Sequence, residues 1–177
     1  IFMVRKQAAD EDRIWAAVHT VAEAALDGFV SMREREGTRL RDDVLFRLDE
    51  IISNVEYIES RSPETVKEYN EKLLTRMKEL LGDAHIDEQR IITEAAIFAD
   101  KVAVAEETVR LRSHISQLRS FLDLSEAVGK KMDFLVQELN REANTIGSKA
   151  QDVEIARRVV AIKAEIEKIR EQIQNIE

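Results

Sequence analysis

Glu138 and Glu142 stand four residues apart in a stretch that reads as helix, so their carboxylates fall on one face, one turn from each other. Asp133, Gln137 and Arg141 repeat that spacing on the adjacent stripe, and Asn144, Ser148 and Lys149 follow within two turns. The apolar positions Leu135, Leu139, Ala143 and Ile146 take the opposite side. Carboxylates, an amide and cations at this density can hold a divalent cation through oxygen and a phosphate through Arg or Lys. The plainer explanation is a solvated helix face carrying stabilising ion pairs.

A second set lies upstream. Glu107, Arg110 and His114 fall at i, i+3 and i+7 and share a helical face, which Gln117 extends. A histidine can move a proton near neutral pH or ligate a metal, and a carboxylate one or two turns away can orient it. Alone, a helical His is more often a surface or packing residue, and His19 and His85 are left at that reading. No phosphate-cradling glycine loop, dinucleotide fingerprint, H-E-x-x-H zinc signature or serine nucleophile elbow is present, so no nucleotide cofactor is expected. What these groups serve most simply is phosphodiester cleavage assisted by a divalent metal. Carboxylates hold the cation, the cation offsets phosphoryl charge, and Arg or Lys holds the phosphate.

Composition narrows the scaffold that must position them. The 177 residues are 44% hydrophobic and 35% charged but only 5% aromatic, with one Pro and five Gly, too little punctuation for a many-stranded fold. An all-α fold of few, long amphipathic helices is expected. The absence of Cys removes disulfides and thiolate chemistry and fits a reducing, cytosolic setting. No run approaches the roughly 20 apolar residues of a membrane span, and no signal peptide is evident, so a soluble protein without membrane partners is expected. The chain begins at Ile1, which suggests a trimmed or fragmentary start. A net charge of -8 argues against a general nucleic-acid coat protein but leaves room for local basic tracks, such as Arg33, Arg35, Arg39 and Arg41.

Periodicity divides the chain further. Asp10 can cap a first helix with the apolar face Ile14, Val18, Val21, Ala25, Phe29 and Met32, ending or kinking near Gly37. Leu40, Val44, Leu48, Ile51, Val55 and Ile58 form the stripe of a second. Ser60 to Ser62 are expected to break it, with Ser62 capping and Pro63 opening a third helix closed by Gly82. The second and third helices would then form an antiparallel hairpin projecting as an arm. One long helix is expected from about Asp87 to Leu122, its apolar register shifting midway, and the decorated helix after Gly129 has a possible bend at Gly147. Last, Ile155, Val159, Ile162, Ile166, Ile169, Ile173 and Ile176 alternate steps of four and three, the a/d seam of a coiled coil. That seam favours a homo-oligomer, although an antiparallel partner within the chain would satisfy it equally. The expected division is residues 1–82, the first helix and hairpin arm, and residues 83–177, a helical bundle or coiled-coil part with the catalytic and oligomerisation elements.

Three strings carry a family likeness: SMREREGTRL at Ser31 to Leu40, the Asp87 to Leu122 segment ending VRLRSHISQLRSFL, and the Gly129 to Glu177 segment opening GKKMDFLVQELNREANTIGSK. They resemble the C-terminal part of the bacterial YicC/YloC endoribonuclease family. That family also has an N-terminal domain, for which this chain shows no counterpart. The resemblance implies a cytoplasmic bacterial protein that assembles into hexameric rings and cuts single-stranded or structured RNA with a divalent metal. Its motifs fall on Asp100, Lys101, Glu106, Glu107, Arg110 and His114, and on Asp133, Gln137, Glu138, Arg141, Glu142, Asn144, Ser148 and Lys149.

The resulting expectation is an endoribonuclease acting in RNA turnover. Glu107, Glu138, Glu142 and His114 hold the metal, and His114 orients or transfers a proton. Arg110, Arg141, Lys149 and Asn144 bind RNA phosphate. Manganese or magnesium suits such a site better than zinc. The alternative is a non-catalytic assembly or adaptor protein that uses the hairpin and the C-terminal seam for protein partners.

Overall fold

The computed structural model describes residues 10–81, 88–124 and 126–174, and among these every regular element is a helix. In chain order they are α1 (Glu11–Leu81), α2 (Glu88–Val102), α3 (Ala105–Leu122), α4 (Gly129–Lys149) and α5 (Val153–Ile173). The all-α expectation is met. None of the described helices is long and apolar enough to cross a membrane. The chain divides into two compact units, residues 1–41 and residues 42–177.

In the first unit, α1 starts where the sequence places it: Asp10 Oδ1 accepts from the Arg13 backbone N–H at 3.2 Å, satisfying one of the free donors of the first turn. Its apolar positions Ile14, Trp15, Val18, Val21, Phe29 and Met32 are all exposed. Gly37 neither ends nor breaks the helix.

The expected hairpin is not found. α1 runs as one helix of 71 residues through Ser60, Ser62 and Pro63. Pro63 removes one backbone donor, but an ion-pair cluster ties the next turns together across it: Arg61 reaches Glu64 at 3.1 Å, Glu68 at 2.7 Å and Asp152 of the following turn before α5 at 2.9 Å. Local punctuation therefore lost to tertiary contacts. The segment after Pro63 has a different neighbour, since Tyr69 stacks on Phe98 of α2 with ring centroids 3.6 Å apart. The expected single helix from Asp87 to Leu122 is interrupted instead at Ala103 and Val104 into α2 and α3, close to its shift of apolar register. Gly82 and Asp87, and Ile176 of the seam, lie outside the described residues.

Within residues 42–177, the middle of α1 forms an antiparallel four-helix bundle with α3, α4 and α5. The order of the cross-links gives the direction: Asp49 meets Arg119 and Glu59 meets Arg112, while Arg47 meets Glu165 and Asn54 meets Arg158. In both series the numbers rise along α1 as they fall along its partner helix. The α1 stripe Val44, Leu48, Ile51, Val55 and Ile58 is completely buried against Leu111, Ile115 and Leu118 of α3, Leu139 and Ile146 of α4, and the α5 isoleucines. Each such side chain contributes about 1.5–3 kcal/mol on burial, so the bundle rests on this core.

The α5 seam faces this core. Ile155, Val159, Ile162, Ile166, Ile169 and Ile173 are all buried within the chain, the intrachain alternative, and so the seam provides no argument for a second copy. Asp152 caps α5 by accepting from the backbone N–H groups of Glu154 and Ile155, both at 2.9 Å. Gly147 does not interrupt α4; a Cβ there would stand 3.2 Å from Val159 Cγ1, so its small size allows α4 and α5 to approach.

Candidate metal centre between α3 and α4

Antiparallel packing of α3 on α4 sets residue numbers rising along one helix against numbers falling along the other. Near one end Lys149 meets Glu107, further along Arg110 meets Glu142, and His114 follows beside Glu138 and Glu142. The two polar faces read from the sequence thus form one groove. The apolar stripes behind them hold it rigid, with Leu111, Ile115 and Leu118 on α3 and Leu135, Leu139, Ala143 and Ile146 on α4 all buried.

His114, Glu138 and Glu142 are the group that converges. One ligand atom from each lies within 4.8 Å of the other two, a separation that modest side-chain rotation would close around a single cation. Two further observations fit a cation. The Nδ1 atom of His114 is buried and has no hydrogen-bond partner among the described residues, a costly state for a polar atom. Glu142 is only 4% exposed, yet the Arg110 guanidinium stands 3.6 Å from its Oε1, beyond ordinary hydrogen-bond length. An imidazole and two carboxylates form a mixed nitrogen and oxygen donor set.

The phosphate-binding candidates separate into two kinds. Arg110 is held loosely, 3.5 Å from Glu106 and 3.6 Å from Glu142, and Arg141 stands 3.7 Å from Glu138 with its side chain exposed. Both can turn to a ligand at little cost. Lys149 is committed: its Nζ donates to Glu107 Oε1 at 2.7 Å and to the Ala103 carbonyl at 2.9 Å. Glu107 is accordingly not one of the three converging ligands; it is 5% exposed, with Oε1 taken by Lys149 and Oε2 unpartnered. Asn144 is exposed on α4.

Asp133 accepts from the Gln137 amide at 2.8 Å, so these two serve each other. Spacing alone passes over Phe134. It adjoins the apolar stripe in sequence and lies exposed on the groove face, four residues before Glu138. The signal available was its offset by one position from Leu135, Leu139 and Ala143.

Residues 58–177 match the family model described as endoribonuclease YicC-like, C-terminal. A probable endoribonuclease YicC of Clostridioides difficile (strain 630) is 46% identical over 178 residues, spanning 100% of this chain and 61% of the relative. Another of the same name, from Haemophilus influenzae (strain ATCC 51907 / DSM 11121 / KW20 / Rd), is 38% identical over 175 residues, spanning 99% of this chain and 60% of the relative. The chain thus covers about three fifths of the length of these curated relatives. With its matching region containing the whole α3–α4 groove, the chain belongs to the YicC-like endoribonuclease family.

Proposed function

We propose that this chain carries the catalytic groove of a divalent-metal-dependent endoribonuclease. The convergence of His114, Glu138 and Glu142 carries the reading, supported by the unpartnered His114 nitrogen and by the names of the relatives. Glu138 and Glu142 supply oxygen ligands and His114 joins them through one ring nitrogen. Manganese suits this donor set better than magnesium, which prefers oxygen ligands alone. When bound, the ion would offset negative charge on the phosphoryl oxygens. Arg110 and Arg141, free to turn, hold the non-bridging oxygens and align the phosphate. Glu107 and Lys149 set the spacing of α3 and α4 beneath the site, and Asn144 offers an amide to the RNA backbone at its edge.

The same reading includes RNA turnover in the cytoplasm and a homo-oligomer, hexameric by the family resemblance. Its structural support is the exposed apolar stripe of residues 14–32, a face suited to a partner helix.

End-labelled RNA incubated with the purified chain and manganese, magnesium or chelator tests the activity. Metal-dependent fragments that disappear with Glu138→Gln, Glu142→Gln and His114→Ala are expected. Intact RNA in every lane, together with manganese binding that these variants leave unchanged, overturns the reading.

A further inference from the structure

The α3–α4 groove continues past the metal centre. On α4 the positions Lys131, Phe134, Glu138 and Glu142 follow at steps of three, four and four, so all four face the groove; on α3, Arg110, His114, Gln117 and Phe121 do the same. Beyond His114 and Glu138 the walls change from acidic to aromatic and basic. Gln117, Phe121, Lys130, Lys131, Phe134 and Leu135 line a cleft of about 350 Å³, within the range of small-ligand sites.

Three side chains of this cleft bear on a ligand. Phe134 is 59% exposed, although Leu135 beside it already supplies the core contact. Lys131 lies over the half-buried Phe121 ring, 5.9 Å from its centroid, and is held there by Glu126 at 2.8 Å. Gln117 makes only a long contact, 3.4 Å, to Ser113 Oγ, so its amide is available to a ligand edge. A flat apolar ring, an amide and two lysines are the parts with which proteins bind an unpaired base and its phosphate. An aromatic face stacks on any base; Lys130, and Lys131 on exchanging its exposed and therefore weak pair with Glu126, neutralise the backbone.

We infer that Phe134 and Phe121, with Lys130 and Lys131, form a base-stacking subsite that holds one unpaired nucleotide of the RNA whose phosphate lies at His114, Glu138 and Glu142. This rests on the proposed nuclease reading for its choice of ligand. Continuity with that centre and the charge complementarity of the lysines with a polyanion favour RNA as the occupant; an apolar peptide would not require those cations. Phe134 lies four to eight residues from Glu138 and Glu142, roughly 10 Å along the helix at 1.5 Å per residue. At a rise of about 3.4 Å per stacked nucleotide, the held base lies within about three nucleotides of the reacting phosphate. The groove would therefore accept single strands, loops or bulges, and not a closed duplex whose bases are buried.

Binding is measured by fluorescence anisotropy in chelator, where no cutting occurs, using a labelled single-stranded RNA and a set of the same RNA with one abasic nucleotide at each position in turn. Phe134→Leu should weaken binding about tenfold and Phe134→Tyr should leave it nearly unchanged, since only the second keeps a stacking face. One or two abasic positions should cost wild type about tenfold and cost Phe134→Leu nothing more. Equal affinity of Phe134→Leu and wild type, or identical abasic profiles for both, overturns the subsite. Cleavage is followed separately in manganese. Flat binding with normal metal-dependent cleavage sinks the subsite alone, whereas the Phe134 pattern with no metal-dependent cleavage and with manganese binding that the Glu138, Glu142 and His114 variants leave unchanged supports the subsite and sinks the nuclease reading.

Discussion

Lys149 Nζ stands 2.7 Å from Glu107 Oε1 and 2.9 Å from the Ala103 carbonyl oxygen, so one cation at the end of α4 joins a buried carboxylate of α3 to the break between α2 and α3. A residue whose spacing suggests phosphate binding is thus a structural tie. It also gives Glu107, which is 5% exposed, an ion-pair partner where an unpaired buried carboxylate would be expensive.

Replacing Lys149 by Met should consequently destabilise the fold by about 2–3 kcal/mol, less than a fully buried pair would cost because Lys149 is partly exposed. The double variant Glu107→Leu with Lys149→Met should recover most of the loss. Urea unfolding followed by helical circular dichroism checks both. A loss under about 0.5 kcal/mol in the single variant would return Lys149 to the set of free cations.

Arg110 stands 3.6 Å from Glu142, beside the proposed metal centre, and on that reading Arg110→Gln should move two affinities in opposite directions. Removing the cation nearest Glu142 should tighten manganese binding, while RNA binding weakens and its salt dependence falls by about one unit of slope. Calorimetry with manganese and an anisotropy series in salt read the two effects. Weakened metal binding would show that Arg110 organises the site and does not compete for it.

Acid should loosen the bundle at its cross-links. The Arg112 hydrogen bond holds the Glu59 carboxyl below its ordinary range, and Lys168 with Arg47 does the same for Glu165. For Asp152 burial acts upward, but the backbone N–H groups of Ile155 and Glu154 and the Arg61 guanidinium outweigh it and leave the carboxyl lowered. Each of these groups binds its proton less readily in the folded chain. Their contribution is therefore complete above the ordinary carboxylate values of about 4 and is lost as pH falls through the lowered folded values. Denaturation midpoints should hold from pH 7 to about 5 and drop below about 4; Asp152→Asn should flatten part of that drop. A midpoint that does not change between pH 5 and 3 would contradict these pairings.

Pro63 sits inside α1, where it deletes one helical hydrogen bond. Pro63→Ala should raise stability by about 1–3 kcal/mol, read as a higher thermal midpoint. If the alanine variant is less stable, Pro63 is needed for a bend or for the shape of the cleft that it lines with Val66, Ala99 and Val104.

Residue order alone determined that the chain is helical, that the stripes of residues 44–58 and 155–173 are apolar seams, that Asp10 opens α1, and which polar residues share a helical face. These properties follow from the 3.6-residue period and need no knowledge of neighbours. Only tertiary structure decided which faces meet. The Arg61 cluster carries α1 through Pro63 where local rules predict a turn, and the seam of α5 closes on its own chain. Glu107, Glu138 and Glu142 look alike in the sequence, yet antiparallel packing gives the first to Lys149 and the other two to His114. Phe134 was hidden for the same reason: one position along a helix is a rotation of about 100°, enough to move a ring from the core to the groove, and the partner helix alone shows on which side of that boundary it falls.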